Sequence, residues 1–558
     1  MRGRRIKRGL TRREEDLIMG VVLLTLGVLL LSLIPLLRLG SSARAALDDY
    51  VYGAPVHYAL EAGGGLFSVL RAILENVLYT YADWQGTYSS VILFSIEPGA
   101  FQESWYGLTT WVMLFAILCP IFLALGAVKD MERWGRLIIG AVVAFLSIQY
   151  LPSPAQGFYW WNGAAHYILF WLFSVWAVVH QVRLSRWEGT EKGFWRKALL
   201  GMLLAFWVGG GNFCTALVFP LVSGLLWVLA MRDKRSWQVA AANLLMTAAG
   251  AAGLFISMAA PGNALRQAGF QTMNPVLAIL TSFARAGRTL WGAAGWQLLG
   301  ALLLTVPVFL LSTRSCSYSF DHPILVTLGG FCAYSALFTP PIYSMGEAGL
   351  LGRLENLFWL AGLFLIFGVA FYLAGWAARQ WLEPGWDRSR KSLWAVFMVG
   401  AVVLTVGFLL QLPRANSARA AADLRSQARI TYLEEREARR QVLADPEAGP
   451  ERFRRFTGGP ECFFLTRVST WQADLQVDGK FAELPIYRGR GGGVTYVELG
   501  EAMTFFGVTN LEEGGFSQSF YLRGGRYVSL REFCDQAGYL ITYDFPIDTI
   551  RIRTNREG

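Results

Sequence analysis

The chain has 558 residues, of which 54% are hydrophobic and only 16% charged, with 21 Trp and a formal net charge of +10. Its mean hydropathy is +0.38. Soluble globular chains average about 25% charged residues, so this composition excludes a soluble multidomain protein and describes a polytopic membrane protein. No basic run is interleaved with aromatics, which sets aside a nucleic-acid groove; the positive charge belongs to loops beside a lipid surface.

"MRGRRIKRGLTRREED" carries seven Lys/Arg and is followed by "LIMGVVLLTLGVLLLSLIPLL". That core is longer than a signal-peptide h-region and lacks a small-x-small cleavage site. Residues 17–37 therefore read as an uncleaved first span with a cytoplasmic N-terminus. Further spans are predicted at 107–127, 136–151, 165–182, 197–210, 213–230, 237–259, 290–312, 323–339, 351–376 and 393–411. With the N-terminus inside, the inside loops include "KDMERWGR", "MRDKRSW" and "AARQWLEPGWDRSRKS", whereas the outside loops "LPSPAQGFYWWNG", "APGNALRQ" and "TPPIYSMGEAG" are nearly free of Lys and Arg. The positive-inside rule is satisfied along most of the chain. About eleven spans then place the C-terminus outside.

The first outside loop, residues 38–106, opens with "SSARAALDDYVYG" and its adjacent carboxylates Asp48 and Asp49. Inside it, Leu66, Val69, Leu70, Ile73, Leu74, Val77 and Leu78 fall at the spacing of one helical face. Two readings stand, a helix in the membrane interface and an ordinary surface helix.

The few outside arginines, Arg266, Arg285, Arg288 and Arg353, are candidates to grip a phosphate. For Arg353, next to Glu355, a snorkelling or bundle-closing role is the alternative. "GFYWWNGAAHY" offers Trp160, Trp161, Asn162 and His166 either as a sugar-binding surface or as an aromatic belt. Glu347 faces outside and is a further candidate. "GGGNFCTA" suggests a broken helix or close packing through small residues. No His/Cys cluster has metal-ligand spacing.

Residues 413–458 read as a helical stalk rich in Ala, Arg and Glu. Beyond them, "YVELGEAMTFFG" and "YVSLREFCDQAG" repeat the pattern Y-V-x-L-x-E-x5-G, 31 residues apart. Each unit predicts a strand, a helix and a Gly cap. "LQVDGKFAEL" predicts a hairpin with Asp-Gly at its turn, and "YLITYDFPIDTIRI" two strands. A Cys462–Cys534 disulfide is open outside the cell, since sequence alone gives no geometry.

A first span, an acidic pair, interfacial helices in a long first outside loop and many further spans, together with "LDDYVYG", "YADWQGTYSS", "GFYWWNGAAHY", "APGNALR" and "GEAGLLGRLENLFW", resemble the GT-C class of bacterial membrane glycosyltransferases over roughly residues 1–412. The stretch "WQGTYSS" lacks the basic residue that related sequences often carry there. The resemblance implies transfer of a sugar from a polyprenyl-phosphate donor to a cell-envelope acceptor on the external face. It also implies that an acid of the first outside loop, Asp48 or Asp49, acts as base, holds a divalent metal or orients the acceptor. Residues 459–558 resemble the small extracytoplasmic domain termed copper amine oxidase N-terminal-domain-like, a binding or stalk module without copper ligands. The expected architecture is thus a polytopic α-helical membrane domain with a small extracellular α+β domain. The alternative is a non-catalytic transporter or a scaffold whose C-terminal module binds wall glycans.

Overall fold

The computed structural model describes residues 12–407, apart from 42, 44, 46–47, 188–190, 269, 271, 294, 314–315, 317, 347–351 and 383–391, together with parts of 469–554. The expected stalk, Glu347 and Cys462 lie outside the described residues.

Among the described residues, eight helices are long and apolar enough to cross a membrane: Arg12–Arg38, Ser104–Ala127, Trp161–Leu184, Phe213–Arg232, Trp237–Met258, Trp296–Thr313, Pro323–Met345 and Gly352–Gln380. The other three expected spans are helices of shorter or more polar character. Arg133–Gln149 has 17 residues, Glu191–Gly209 begins with charged turns, and Ser392–Gly407 is a shorter apolar helix. Outward faces of the bundle carry large apolar side chains, such as Leu23, Phe115, Leu203 and Phe255. Surface of that kind and extent suits lipid rather than water.

Arg133–Gln149 is buried almost continuously from Ile138 to Ile148, as a helix apolar on all sides must be. It is packed by the helices Arg12–Gly40, Leu108–Ala127, Trp296–Thr313 and Gly352–Ala377. A second group joins Glu191–Gly209 to Trp237–Met258 and Phe213–Arg232. There Gly209 lies so close to the Gly250 carbonyl that no Cβ fits, the small-residue contact that lets helices associate in lipid. Both readings of "GGGN" hold: the glycines permit close approach, and the chain breaks at Gly210–Gly211 before Asn212 caps the next helix.

The helix Leu66–Asp83 turns Leu66, Phe67, Leu70, Leu74 and Leu78 outward and buries Val69, Ala72 and Thr80. Its apolar face is thus exposed, as an interfacial helix requires. One boundary differs from expectation. The span predicted from residue 290 begins at Trp296, and Pro275–Ala293 is a separate amphipathic helix. It exposes Val276, Leu280 and Trp291 and buries Ala278, Ser282 and Ala286. Its three small buried residues are spaced by four, a weaker signal in sequence than a stripe of Leu.

Among the C-terminal described residues are nine strands: β1 (Ser469–Thr470), β2 (Asp474–Val477), β3 (Lys480–Phe481), β4 (Ile486–Arg488), β5 (Thr495–Glu498), β6 (Ser519–Leu522), β7 (Gly525–Ser529), β8 (Leu540–Asp544) and β9 (Thr549–Arg553). They form sheets of order β1-β4-β5-β7-β6 and β3-β2-β9-β8. Strand β5 leads into the helix Leu499–Phe506 and β7 into Leu530–Gln536. The glycines that end the units, Gly507 and Gly538, take left-handed φ of 64° and 72°. The two units pair antiparallel with Val497 opposite Val528. Those are equivalent positions of the repeat, so a local twofold axis passes between them. Cys534 is a free thiol buried in this core, and burial pushes it up to about 12.

The predicted Asp-Gly hairpin joins β2 and β3, with φ of 51° at Asp478 and 81° at Gly479. The Asp478 carboxylate accepts from the Thr554 hydroxyl at 2.6 Å and the Thr554 N–H at 2.9 Å. Those bonds hold it below the usual carboxylate range. A depressed carboxylate contributes stability above its unfolded pKa, about 3.9, and loses it as pH falls through the folded value. Asp478→Asn should therefore raise amide exchange at 474–481 and 549–554 of the full-length chain at neutral pH. The difference from the wild type should close as the pH falls below about 4.

Candidate functional site

Asp48 and Asp49 open the helix Asp48–Glu61, where a carboxylate meets the positive end of the helix dipole. Their environments differ. Asp48 is partly exposed, whereas Asp49 is fully buried. Asp49 Oδ2 accepts from the Tyr106 hydroxyl, and Oδ1 accepts from the Asn162 N–H at 3.0 Å. The Tyr106 oxygen itself accepts from the Trp161 N–H at 2.9 Å. Trp161 and Asn162 are the first residues of a helix whose own N-cap, Trp160, supplies no side-chain bond. Two orphan amides of a helix start must find acceptors. Here a carboxylate 113 residues upstream and a tyrosine 55 residues upstream provide them. Glu97, also buried, accepts from the Gly99 N–H at 2.6 Å at the start of the next short helix.

The helix so anchored widens to a π-helical turn over Ala165–Leu169, which carries His166 and Tyr167. Such turns recur at functional sites because they leave a carbonyl without its usual partner. The His166 carbonyl accepts from Asn212 Nδ2 at 2.7 Å, while Asn212 Oδ1 caps the Phe213–Arg232 helix. The imidazole Nδ1 lies 2.8 Å from Ser90 Oγ.

Two arginines from different elements come within electrostatic reach of this turn. Arg353 sits in the first turn of the helix Gly352–Ala377. That start is clamped by Asn356, which bonds both the N–H and the carbonyl of Ser153 at 2.8 Å, and by Gln156, which accepts from the Arg353 N–H at 3.0 Å. The Arg353 guanidinium then lies 5.2 Å over the Trp160 ring and contacts the Tyr167 hydroxyl. Arg266 comes from the short helix Pro261–Gln267. It lies 5.2 Å over the Trp84 ring and donates to Gln85 Oε1. Both guanidiniums are close enough to His166 and Tyr167 to act on them electrostatically. Among the described residues neither has a carboxylate within ion-pairing distance.

The loop that carries Trp84 and Gln85 is fixed by contact with the turn before Arg266. The Gly86 N–H donates to Asn263 Oδ1 at 3.0 Å, and Asn263 Nδ2 donates to the Ser257 carbonyl at 2.7 Å. A Cβ at Gly86 would strike that carbonyl, and one at Gly262 would strike the Trp84 backbone. Both positions require glycine for this approach.

Several polar atoms here are buried and have no partner among the described residues: the Trp160 indole N–H and both carboxamide atoms of Asn162. Buried polar groups are normally satisfied, so these atoms are candidates for contact with a ligand. Trp161 is different, because its indole N–H is spent on the Leu93 carbonyl at 2.8 Å. It belongs to the scaffold.

The structure thus sets Arg353 against Trp160, brings Arg353 and Arg266 within electrostatic reach of His166, and ties the Asn162 backbone to Asp49. It does not bring Arg285 and Arg288 there. Arg285 lines a separate cavity of ≈ 390 Å³ with Glu355, and Arg288 is exposed on the helix Pro275–Ala293. No group of three or more His, Cys, Asp or Glu side chains gathers among the described residues. Sequence reasoning did not single out Trp84, Gln85, Ser90, Glu97, Tyr106, Tyr167 and Asn212; the quoted stretches "WQGTYSS" and "GGGN" held four of them. No family model, curated protein or solved structure matches this chain.

Proposed function

We propose that the protein is a GT-C-like integral membrane glycosyltransferase. It moves a sugar from a polyprenyl-phosphate donor to a cell-envelope acceptor on the external face. The observation that carries this reading is the pair Arg266 and Arg353, each set over a tryptophan ring, both within electrostatic reach of His166 and Tyr167, and neither paired with a carboxylate among the described residues. Two such guanidiniums at one end of an apolar bundle suit a phosphate held by a lipid tail. The basic group missing from "WQGTYSS" is supplied by Arg266, which Gln85 and Trp84 hold in that place.

In this mechanism an acceptor hydroxyl oxygen attacks the anomeric carbon. The bond from that carbon to the phosphate oxygen breaks, and polyprenyl phosphate leaves. The charge that develops on the leaving phosphate is stabilised by the two arginines. The hydroxyl proton passes to a carboxylate, which we assign to the partly exposed Asp48. Asp49, buried and accepting two hydrogen bonds, positions Trp161 and Asn162. The Trp160 N–H and the Asn162 carboxamide contact the donor. The charge distribution of the loops puts this end of the bundle outside, with the N-terminus in the cytoplasm and the C-terminal sheets acting as an extracytoplasmic binding module.

The test is sugar transfer in membranes supplied with polyprenyl-phosphate sugars. Asp48→Asn should lower the rate by about 10²-fold and leave thermal unfolding unchanged. Full transfer by Asp48→Asn removes Asp48 from the role of base.

A further inference from the structure

The ≈ 390 Å³ cavity on the other side of the Gly352–Ala377 helix start has a different chemistry from the arginine pair. Its size lies within the range of small-ligand pockets, about 300–1,000 Å³. Among the described residues its wall holds one guanidinium and one carboxylate, Arg285 and Glu355, with Thr289, Gln297, Tyr150 and Trp359 around them. No ion pair joins Arg285 to Glu355, and neither has a hydrogen-bond partner among the described residues. The Trp359 ring is fixed by its N–H, which donates to the Leu146 carbonyl at 3.1 Å.

We propose that this cavity is a second, charge-balanced subsite for a neutral polyhydroxyl ligand, the sugar end of the acceptor. A charged ligand would meet a like charge in either Arg285 or Glu355. A neutral polyol accepts from Arg285 and Gln297, donates to Glu355, and lays its C–H face on the aromatic wall. The ligand class therefore follows from the balance of the lining, as the anionic class follows from two arginines without a carboxylate partner among the described residues at the other site. The two sites share a wall. Residues two apart on a helix point about 200° apart, so one turn presents Arg353 to Trp160 and Glu355 to the cavity. The Asn356–Ser153 clamp fixes both at once. The role as acceptor site rests on the glycosyltransferase reading; the binding of a polyol does not.

The test uses the full-length protein in phosphatidylcholine nanodiscs and saturation-transfer NMR with the methyl glycosides of glucose, galactose and mannose. At least one glycoside should receive saturation. Glu355→Ala and Arg285→Ala should each weaken it about fivefold, the effect of one lost hydrogen bond, and Glu355→Gln should restore part of it. Arg288→Ala, an exposed position of the Pro275–Ala293 helix that does not line the cavity, should leave glycoside binding as in the wild type. The proposal is overturned by silence from all three glycosides or by signals blind to both cavity variants. It is equally overturned by a co-purifying phospholipid, seen by native mass spectrometry, that is lost on Arg285→Ala. Glycoside binding at the cavity in a protein that transfers no sugar sinks the enzyme reading alone. Sugar transfer with glycoside binding blind to the cavity sinks the subsite alone.

Discussion

Replacing Arg353 or Arg266 by Ala should each lower kcat/KM for sugar transfer by about 10²–10³-fold, the usual cost of one group that stabilises transition-state charge. Each guanidinium is held before any ligand arrives, Arg353 over Trp160 and Arg266 over Trp84 with Gln85 as hydrogen-bond partner. Little side-chain freedom is then left to lose when phosphate charge develops. Lysine should recover only part of the loss, because an ammonium keeps the charge but neither stacks nor forks as arginine does. The two effects should not add, since both groups act on one phosphate, and the double variant should fall near background. Folding should survive, because the Gly352 helix start is clamped by Asn356 and by the Arg353 backbone rather than by its side chain. Wild-type kcat/KM in either single variant, measured on membranes matched for protein content, removes the arginine pair from the phosphate.

The apolar helices were legible because burial in lipid leaves a long uninterrupted signal, and the hairpin at Asp478–Gly479 because few residues accept its left-handed backbone. The helix Pro275–Ala293 was not, and it moved the next span by several residues. Its buried stripe is Ala, Ser and Ala, which hydropathy does not separate from its surroundings. Of the outside arginines, charge alone could not rank four candidates. What ranks them is tertiary: Arg353 and Arg266 find tryptophans and Tyr167 or Gln85, while Arg285 faces a different cavity. The acidic pair drew attention for chemistry. Its more clearly structural member, Asp49, works through amides 112 and 113 residues away, the first by way of Tyr106 and the second directly, a relation that no local spacing encodes.

Asp49→Ala should destabilise the protein by about 3–6 kcal/mol, two charge-assisted hydrogen bonds at roughly 1.5–3 kcal/mol each. The change strands the Asn162 N–H and the Tyr106 hydroxyl in a region closed to solvent. It also removes a negative charge from the start of the Trp161 helix, where the dipole favours one. Asp49→Asn should recover part of the loss, since its carboxamide oxygen can accept only one of the two bonds well. Tyr106→Phe breaks the same cap from the other side, so its effect and that of Asp49→Ala should couple by at least about 1 kcal/mol in a double-mutant cycle. Thermal unfolding in detergent, followed by tryptophan emission, measures all four states. Sugar transfer by Asp49 variants should fall with the folded fraction and by little more, whereas Asp48→Asn should lose transfer while melting like the wild type. An Asp49→Asn protein that melts normally but transfers nothing would exchange the two roles: Asp49 would be the group that meets the acceptor proton, and Asp48 the residue that only begins the helix.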